Sequence, residues 1–361
     1  MSKSGWMIYG AYGYTGELIV QEAVRRGHRP LLAGRSKAKL EPLATRFGLP
    51  FVVLDLRDAA ALARALEGVE LVFHAAGPFV DTSEAMIRAC LAARAHYVDI
   101  TGEASVFRNT LSQDAAAKDR GVVLISGVGF DVVPTDCLAR YVADKLPAAT
   151  RLELAIAPPS NVSPGTAKSM FDGVLIGGLA RRNGALVSHA IGKDTKRVRF
   201  ADRERSVMAI TWGDLETAHR TTRIPNITTY MAFPSAMVRA ASISWPLVAM
   251  STPLLRSLLS RPAVRERIAD AIGSLVRGPD EKARSDARAF VWARATDSSG
   301  RHAEAWLETA DSYAFTAIAG VRAVERILST RPVGALTPAL AFGSDFVLEL
   351  EGTRRRDALV S

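Results

Sequence analysis

Over its first third the chain alternates short apolar runs with helical stripes. Trp6–Tyr9 is an apolar run of strand length, followed by Gly10, Gly13 and Gly16. A helix through Leu18, Ile19, Ala23 and Val24 comes next and closes at Gly27. Pro30–Ala33 reads as a second strand, Ala38–Phe47 as a helix and Phe51–Leu54 as a third strand. A helix over Ala59–Leu66, a strand at Leu71–Ala75 and a helix striped by Met86, Ile87, Cys90 and Leu91 continue the series. His96–Ile100 and Val122–Ile125 are two further strands. Strands that are apolar throughout need cover on both faces, so this alternation with amphipathic helices predicts a parallel, doubly wound α/β sheet.

After roughly Asp136 the rhythm changes. Arg151–Ala157 alternates, with Leu152, Leu154 and Ile156 on one face, and Gly165 opens a helix carrying Met170, Phe171, Val174 and Leu175. Ser206–Trp212 is another strand, and Val264, Ile268, Ile272 and Leu275 form a helical stripe stopped at Gly278-Pro279. Phe290–Ala295 and Ala303–Glu308 flank a turn of Asp297, Ser298, Ser299 and Gly300, which predicts a hairpin. A last helix runs over about Tyr313–Leu328. The expected division is a Rossmann domain over 1–136 and an α+β domain over 137–330 for substrate binding or dimerisation. A segment over 331–361 would return to the first domain, with Arg354-Arg355-Arg356 as a solvated tail.

Composition narrows the class. The 361 residues are 48% hydrophobic and 23% charged, enough for a sizeable core without staples, which excludes disordered, collagen-like and disulfide-framework proteins. Cys90 and Cys137 stand apart from any Cys/His cluster, so a reducing compartment and no structural metal are expected. The opening residues MSKSGWMIYG lack the apolar core of a signal peptide, and the cytoplasm is the expected location. Lys plus Arg number 46 against 37 acids, a net charge of +9, and 37 of those 46 are Arg. The planar fork of Arg suits phosphate and carboxylate, although biased base composition produces the same excess. The charge is spread along the chain, so nucleic-acid binding is not expected.

Tyr230–Leu259 carries only Arg239 and Arg256 as charges, but Pro234, Pro246 and Pro253 interrupt it too often for a membrane span. The stretch reads as buried or interface helices, or as an apolar lid over a greasy substrate.

The first glycine turn carries the most specific chemistry. Gly10, Gly13 and Gly16 sit between a strand and a helix, where backbone can approach a pyrophosphate held at the helix N-terminus. An NAD site would place an acid about 20 residues further on. Here Gly34-Arg35-Ser36 ends the second strand, with Lys37 and Lys39 following, so a 2′-phosphate and NADP(H) are favoured. Asp55-Leu56 would lie at the adenine edge, and Ala76-Gly77-Pro78-Phe79 beside the ribose and nicotinamide.

These residues resemble the saccharopine dehydrogenase-like family of NADP-binding oxidoreductases. The motifs that carry the resemblance are GAYGYTG at 10–16, AGR at 33–35, AAGPF at 75–79, YVDITGE at 97–103 and GFDVVPTD at 129–136. Thr337-Pro338-Ala339 with Phe342-Gly343 is a weaker match. The resemblance covers the first 136 residues and the rest only loosely. It implies nucleotide contacts at Gly10, Tyr12, Gly13, Tyr14, Thr15, Gly16, Arg35, Ser36, Asp55, Ala76, Gly77 and Pro78, with Tyr97, Asp99, Gly102 and Glu103 towards the nicotinamide. Asp99 suits either acceptance of loop N–H bonds or orientation of a proton donor, and Asp131 suits the cap of the helix begun by Pro134.

The family includes saccharopine-forming reductases, which reduce an imine, and trans-acting enoyl reductases, which reduce an acyl-chain double bond. Hydride transfer needs alignment, a proton source and stabilisation of developing charge. Lys168, Tyr230 and His189 are the donors the second domain offers. The apolar 230–259 stretch and the basic charge favour an acyl chain on an acidic carrier protein, over an amino-acid imine. An NADP-binding sensor or lipid-surface protein without turnover stays open as a different class.

Overall fold

The computed structural model describes residues 5–158, 178–190, 192–245, 264, 267 and 287–358. The chain divides into two compact units, one of residues 1–133 with 313–351 and one of 134–312 with 352–361. The expected helices after Gly165 and over 264–275 fall almost wholly outside the described residues, as does Lys168.

The first unit is the doubly wound sheet. Its strands are β1 (Trp6–Tyr9), β2 (Leu31–Gly34), β3 (Phe51–Val53), β4 (Leu71–His74), β5 (His96–Asp99) and β6 (Val123–Ile125). Between them run α1 (Tyr14–Arg25), α2 (Lys37–Phe47), α3 (Ala59–Ala65), α4 (Phe79–Ala93), α5 (Ala104–Ser112) and α6 (Asp114–Arg120). The spatial order is β3-β2-β1-β4-β5-β6, every neighbour parallel, so the order reverses between β1 and β4. Ligands bind outside the carboxyl ends of such strands at this switch point. Both faces are covered: β1 and β4 are buried along their whole length, with Met7, Tyr9, Val72 and Tyr97 facing Met86, Ile87 and Cys90 of α4.

One helix departs from the linear division. The helix expected to end the second domain, Ser312–Thr330, lies in the first unit from Tyr313 onward. Gly320 lets it approach the sheet, since a Cβ there would come within 2.6 Å of the Phe73 ring. Glu325 on this helix accepts a bidentate pair from Arg26 (2.8 and 2.7 Å) and bonds His28 at 3.1 Å. Gly334–Ala335 then adds a short parallel strand beside β6.

The second unit is a mixed sheet with α7 (Val133–Lys145) and α8 (Asp214–Thr222). Its strands are β7 (Arg151–Ala157), β8 (Leu179–Arg182), β9 (Ala185–Ser188), β10 (Thr195–Arg199), β11 (Glu204–Ala209), β12 (Asn226–Ala232), β13 (Arg288–Thr296) and β14 (His302–Ala310). The main path runs β10-β11-β12-β7-β13-β14, with β7 and β12 parallel and the other pairs on it antiparallel. The hairpin turn forms because the Asp297 side chain accepts from the Ser299 and Arg301 N–H groups at 2.9 and 3.0 Å. The Arg354–Arg356 run is not a solvated tail: it is a strand paired with β14, and Arg355 stacks 3.6 Å from the Tyr141 ring centroid. Among the described residues no helix is long and apolar enough to cross a membrane.

Candidate functional site

The glycine turn leaves the carboxyl end of β1. Gly10 has φ +87°, and a Cβ there would lie 2.8 Å from the backbone of Ala75 and Ala76. A Cβ on Gly16 would overlap the Gly10 carbonyl. The Gly10 N–H donates to the Ala33 carbonyl at 2.8 Å and Gly13 N–H closes the turn on the Gly10 carbonyl at 3.0 Å. Gly13 is the N-cap of α1, so no side chain occupies the space over that helix start. Small residues, a tight turn and the positive end of a 12-residue helix make a cradle that suits a diphosphate.

At the end of β2, Arg35 is exposed and Ser36 is the N-cap of α2, whose first turn holds no acid. Asp55, two residues past β3, is occupied by Arg57, whose N–H and guanidinium donate to it at 2.9 and 2.7 Å. Those bonds hold its carboxyl down at about 2.

The loop after β4 is anchored on three sides. Ala75 N–H donates to the Tyr9 carbonyl at 2.7 Å, and Thr82 Oγ1 donates to the Ala76 carbonyl at 2.9 Å. The Val80 N–H donates to Glu103 Oε2 at 3.0 Å. Glu103, itself the N-cap of α5, thereby ties the Ala76-Gly77-Pro78 loop to the end of β5.

Beneath this rim runs a buried hydrogen-bond chain. Asp99 is fully buried and accepts from Tyr97 Oη and Ser126 Oγ at 2.8 Å each, from Gly127 N–H at 2.9 Å and from Thr101 N–H at 3.0 Å. Tyr97 Oη also lies 3.1 Å from His74 Nδ1, and burial drives the imidazole down to about 3, which keeps it neutral. Asp99, expected among the cofactor contacts, has no surface to offer a ligand. It fixes the β5 and β6 loop ends instead. His74 was not legible as a member of this chain, because a single histidine ending an apolar strand reads as core.

A second carboxyl lies near Glu103. Asp131, on the turn between β6 and α7, is half-buried against Gly102, where a Cβ would lie 2.9 Å from Oδ2. Burial, with the Glu103 charge adding to it, pushes its carboxyl up to about 7. Cofactor-type residues expected from sequence therefore gather at one sheet edge: the 10–16 turn, Arg35, Ser36, Asp55, the 76–78 loop, Gly102 and Glu103.

Of the donors expected in the second unit, Tyr230 and His189 lie among the described residues. Tyr230 is 5% exposed on β12, its hydroxyl donates to Glu153 Oε1 at 3.3 Å and burial raises its pKa. Lys196 pairs with the same carboxylate at 2.6 Å and lies over the Tyr230 and Trp292 rings. His189 is partly buried, its ring Nε2 lies 3.7 Å from Asp194 Oδ2, and burial lowers its pKa.

An order-reversed parallel sheet, a glycine cradle at its switch point and a basic, acid-free second-strand end define a dinucleotide-binding domain of the NADP type. Residues 6–125 match the family model of the saccharopine dehydrogenase NADP binding domain. The human "saccharopine dehydrogenase-like oxidoreductase" is 29% identical over 160 residues, which are 39% of this chain and 37% of that protein. A "trans-acting enoyl reductase" of Mycobacterium ulcerans (strain Agy99) is 30% identical over 138 residues, 36% of this chain and 33% of that protein. The match to these curated relatives thus spans little more than a third of their length. Over nearly the whole chain the fold is that of Saccharomyces cerevisiae saccharopine dehydrogenase (L-Glu forming). The TM-score is 0.64 at 12% identity, covering 98% of this chain and 99% of that one.

Proposed function

We propose that this protein is an NADPH-dependent reductase whose substrate is the enoyl double bond of an acyl or polyketide chain. The observation that carries the cofactor side is the glycine cradle facing an acid-free Arg35-Ser36 end of β2. Bound NADPH would supply a hydride from its nicotinamide ring. Gly10, Tyr12, Gly13, Tyr14, Thr15 and Gly16 would hold its diphosphate, Arg35 and Ser36 its 2′-phosphate, and Ala76, Gly77 and Pro78 its ribose on the nicotinamide side. Glu103 acts through the loop it anchors.

The chain's own contribution to the chemistry is a proton. Asp131, with a carboxyl at about 7, is half protonated near neutrality and stands at the carboxyl edge of the sheet. It is the group we assign to protonate the reduced substrate. An acyl rather than an amino-acid substrate is supported by the similarity to mycobacterial enoyl reductases and by the poorly charged 230–259 stretch, of which residues 246–259 lie outside the described region. A carrier protein is the partner that an acyl substrate and the surplus of basic residues suggest.

The test is NADPH oxidation by the purified chain with enoyl thioesters, free and carrier-bound, against a keto acid plus an amino acid. Turnover confined to the enoyl thioesters is expected. Turnover confined to the keto acid plus amine would replace this reading with imine reduction. NADPH binding without oxidation of either would identify a sensor.

A further inference from the structure

We propose that Lys39, seated by the ring of Tyr12, is the second cation of the 2′-phosphate site and sets the preference for NADPH together with Arg35. The inference rests on the NADP reading and gives Lys39, there one of the basic residues that follow the second strand, a defined role.

The geometry begins with Gly34, the last residue of β2. The Tyr12 side chain leaves the glycine turn and crosses the end of that strand, where a Cβ on residue 34 would lie 2.6 Å from its Cε1. Any larger residue at position 34 would displace the ring. On α2, Lys39 places its ammonium 5.7 Å from the centroid of the same ring. The contact links the glycine turn to α2, so two segments that meet the cofactor also orient this ammonium. A cation near an aromatic face keeps its charge and its N–H donors while losing conformational freedom.

The surroundings leave that charge available. Lys39 is exposed and makes no ion pair among the described residues, and the first turn of α2 contains no acid. The Ser36 carbonyl accepts from the Lys39 and Leu40 N–H groups at 3.2 and 3.0 Å, while the Ser36 hydroxyl caps none of the helix N–H groups. Arg35, by contrast, is close enough to Asp55 and Tyr9 to influence the ionisation of both. Arg35 precedes Ser36 at the end of β2, and Lys39 follows it in the first turn of α2, so the two charges flank the hydroxyl that the 2′-phosphate would meet.

The test uses the full chain and nucleotide fragments, so it needs no turnover. Calorimetric titration with 2′,5′-ADP and with 5′-AMP measures the 2′-phosphate contribution as the ratio of the two dissociation constants. Lys39→Ala is expected to weaken 2′,5′-ADP about tenfold and leave 5′-AMP unchanged, as for loss of one charge-assisted contact. Lys39→Glu should weaken it further, and raising salt should affect the wild type more than either variant. Lys39→Arg, which keeps the positive charge, should retain most of the preference for 2′,5′-ADP. If the wild type prefers 2′,5′-ADP and Lys39→Ala keeps that preference intact, Lys39 has no part in the site and the proposal fails alone. If the wild type does not distinguish the two fragments, the NADP reading fails with it.

Discussion

Replacing Gly10 by Ala tests the cradle directly. Two separate penalties meet at this position. The backbone has φ +87°, a left-handed conformation that costs an L-residue about 1–2 kcal/mol. The new methyl would also lie 2.8 Å from backbone and Cβ atoms of Ala75 and Ala76, which are held by the Ala75 N–H bond to Tyr9 and cannot swing away. Overpacking of that kind costs roughly 1–3 kcal/mol. Gly27 provides the control, since it has φ +84° but nothing within 4 Å of a built Cβ. Gly27→Ala should therefore lose only the conformational part, about 1–2 kcal/mol, and Gly10→Ala about 2–5 kcal/mol. In scanning calorimetry that is a fall of roughly 5–15 °C for Gly10→Ala and a few degrees for Gly27→Ala. Binding of 2′,5′-ADP should weaken in the first variant and persist in the second. Equal losses of stability in the two would show that the Ala75-Ala76 loop yields freely, and the close-packed cradle would be refuted.

Two further outcomes follow from titrating groups. Asp131 must be protonated to donate, so turnover should decline as pH rises through about 7, and Asp131→Asn should abolish that limb of the pH–rate profile along with most of the rate. A profile unchanged in the variant would remove Asp131 from the chemistry. Glu325, bonded by Arg26, His28 and Arg322, is held down at about 2. A depressed acid stabilises the fold above its ordinary value near 4.5, and loses that contribution as pH falls through the folded value. Glu325→Gln should thus cost about 1–3 kcal/mol at pH 7 and little near pH 2, as measured by denaturant unfolding. A loss independent of pH would point to packing instead.

Residues 6–125 were legible because their determinants are local. Each strand of a doubly wound sheet is short, apolar and buried on both faces, and each is followed by a helix with one apolar stripe, so the strands lie within a residue or two of the runs that announce them. The glycine turn is equally local, since its spacing and its place between β1 and α1 are both written in sequence order. The basic end of β2 is written in four consecutive residues, Arg35 to Ala38, and Lys39 directly after them.

What tertiary structure alone decided depends on partners far apart in the chain. The Ser312–Thr330 helix joins the first unit because Gly320 meets Phe73 and Glu325 meets Arg26, contacts that no periodicity in either segment announces. The arginine run at 354–356 looks like a solvated tail until β14 offers its edge. Asp99 carries a motif position that suggests a ligand, yet four donors, one from β5 and three from the loops after β5 and β6, enclose it. Asp131 acquires its shifted ionisation only when the turn after β6 folds against Gly102 beside Glu103. Hydrophobic period and glycine spacing are properties of neighbouring residues, and sequence determines them. Burial and ionisation belong to groups brought together from separate strands, and only the folded chain brings them together.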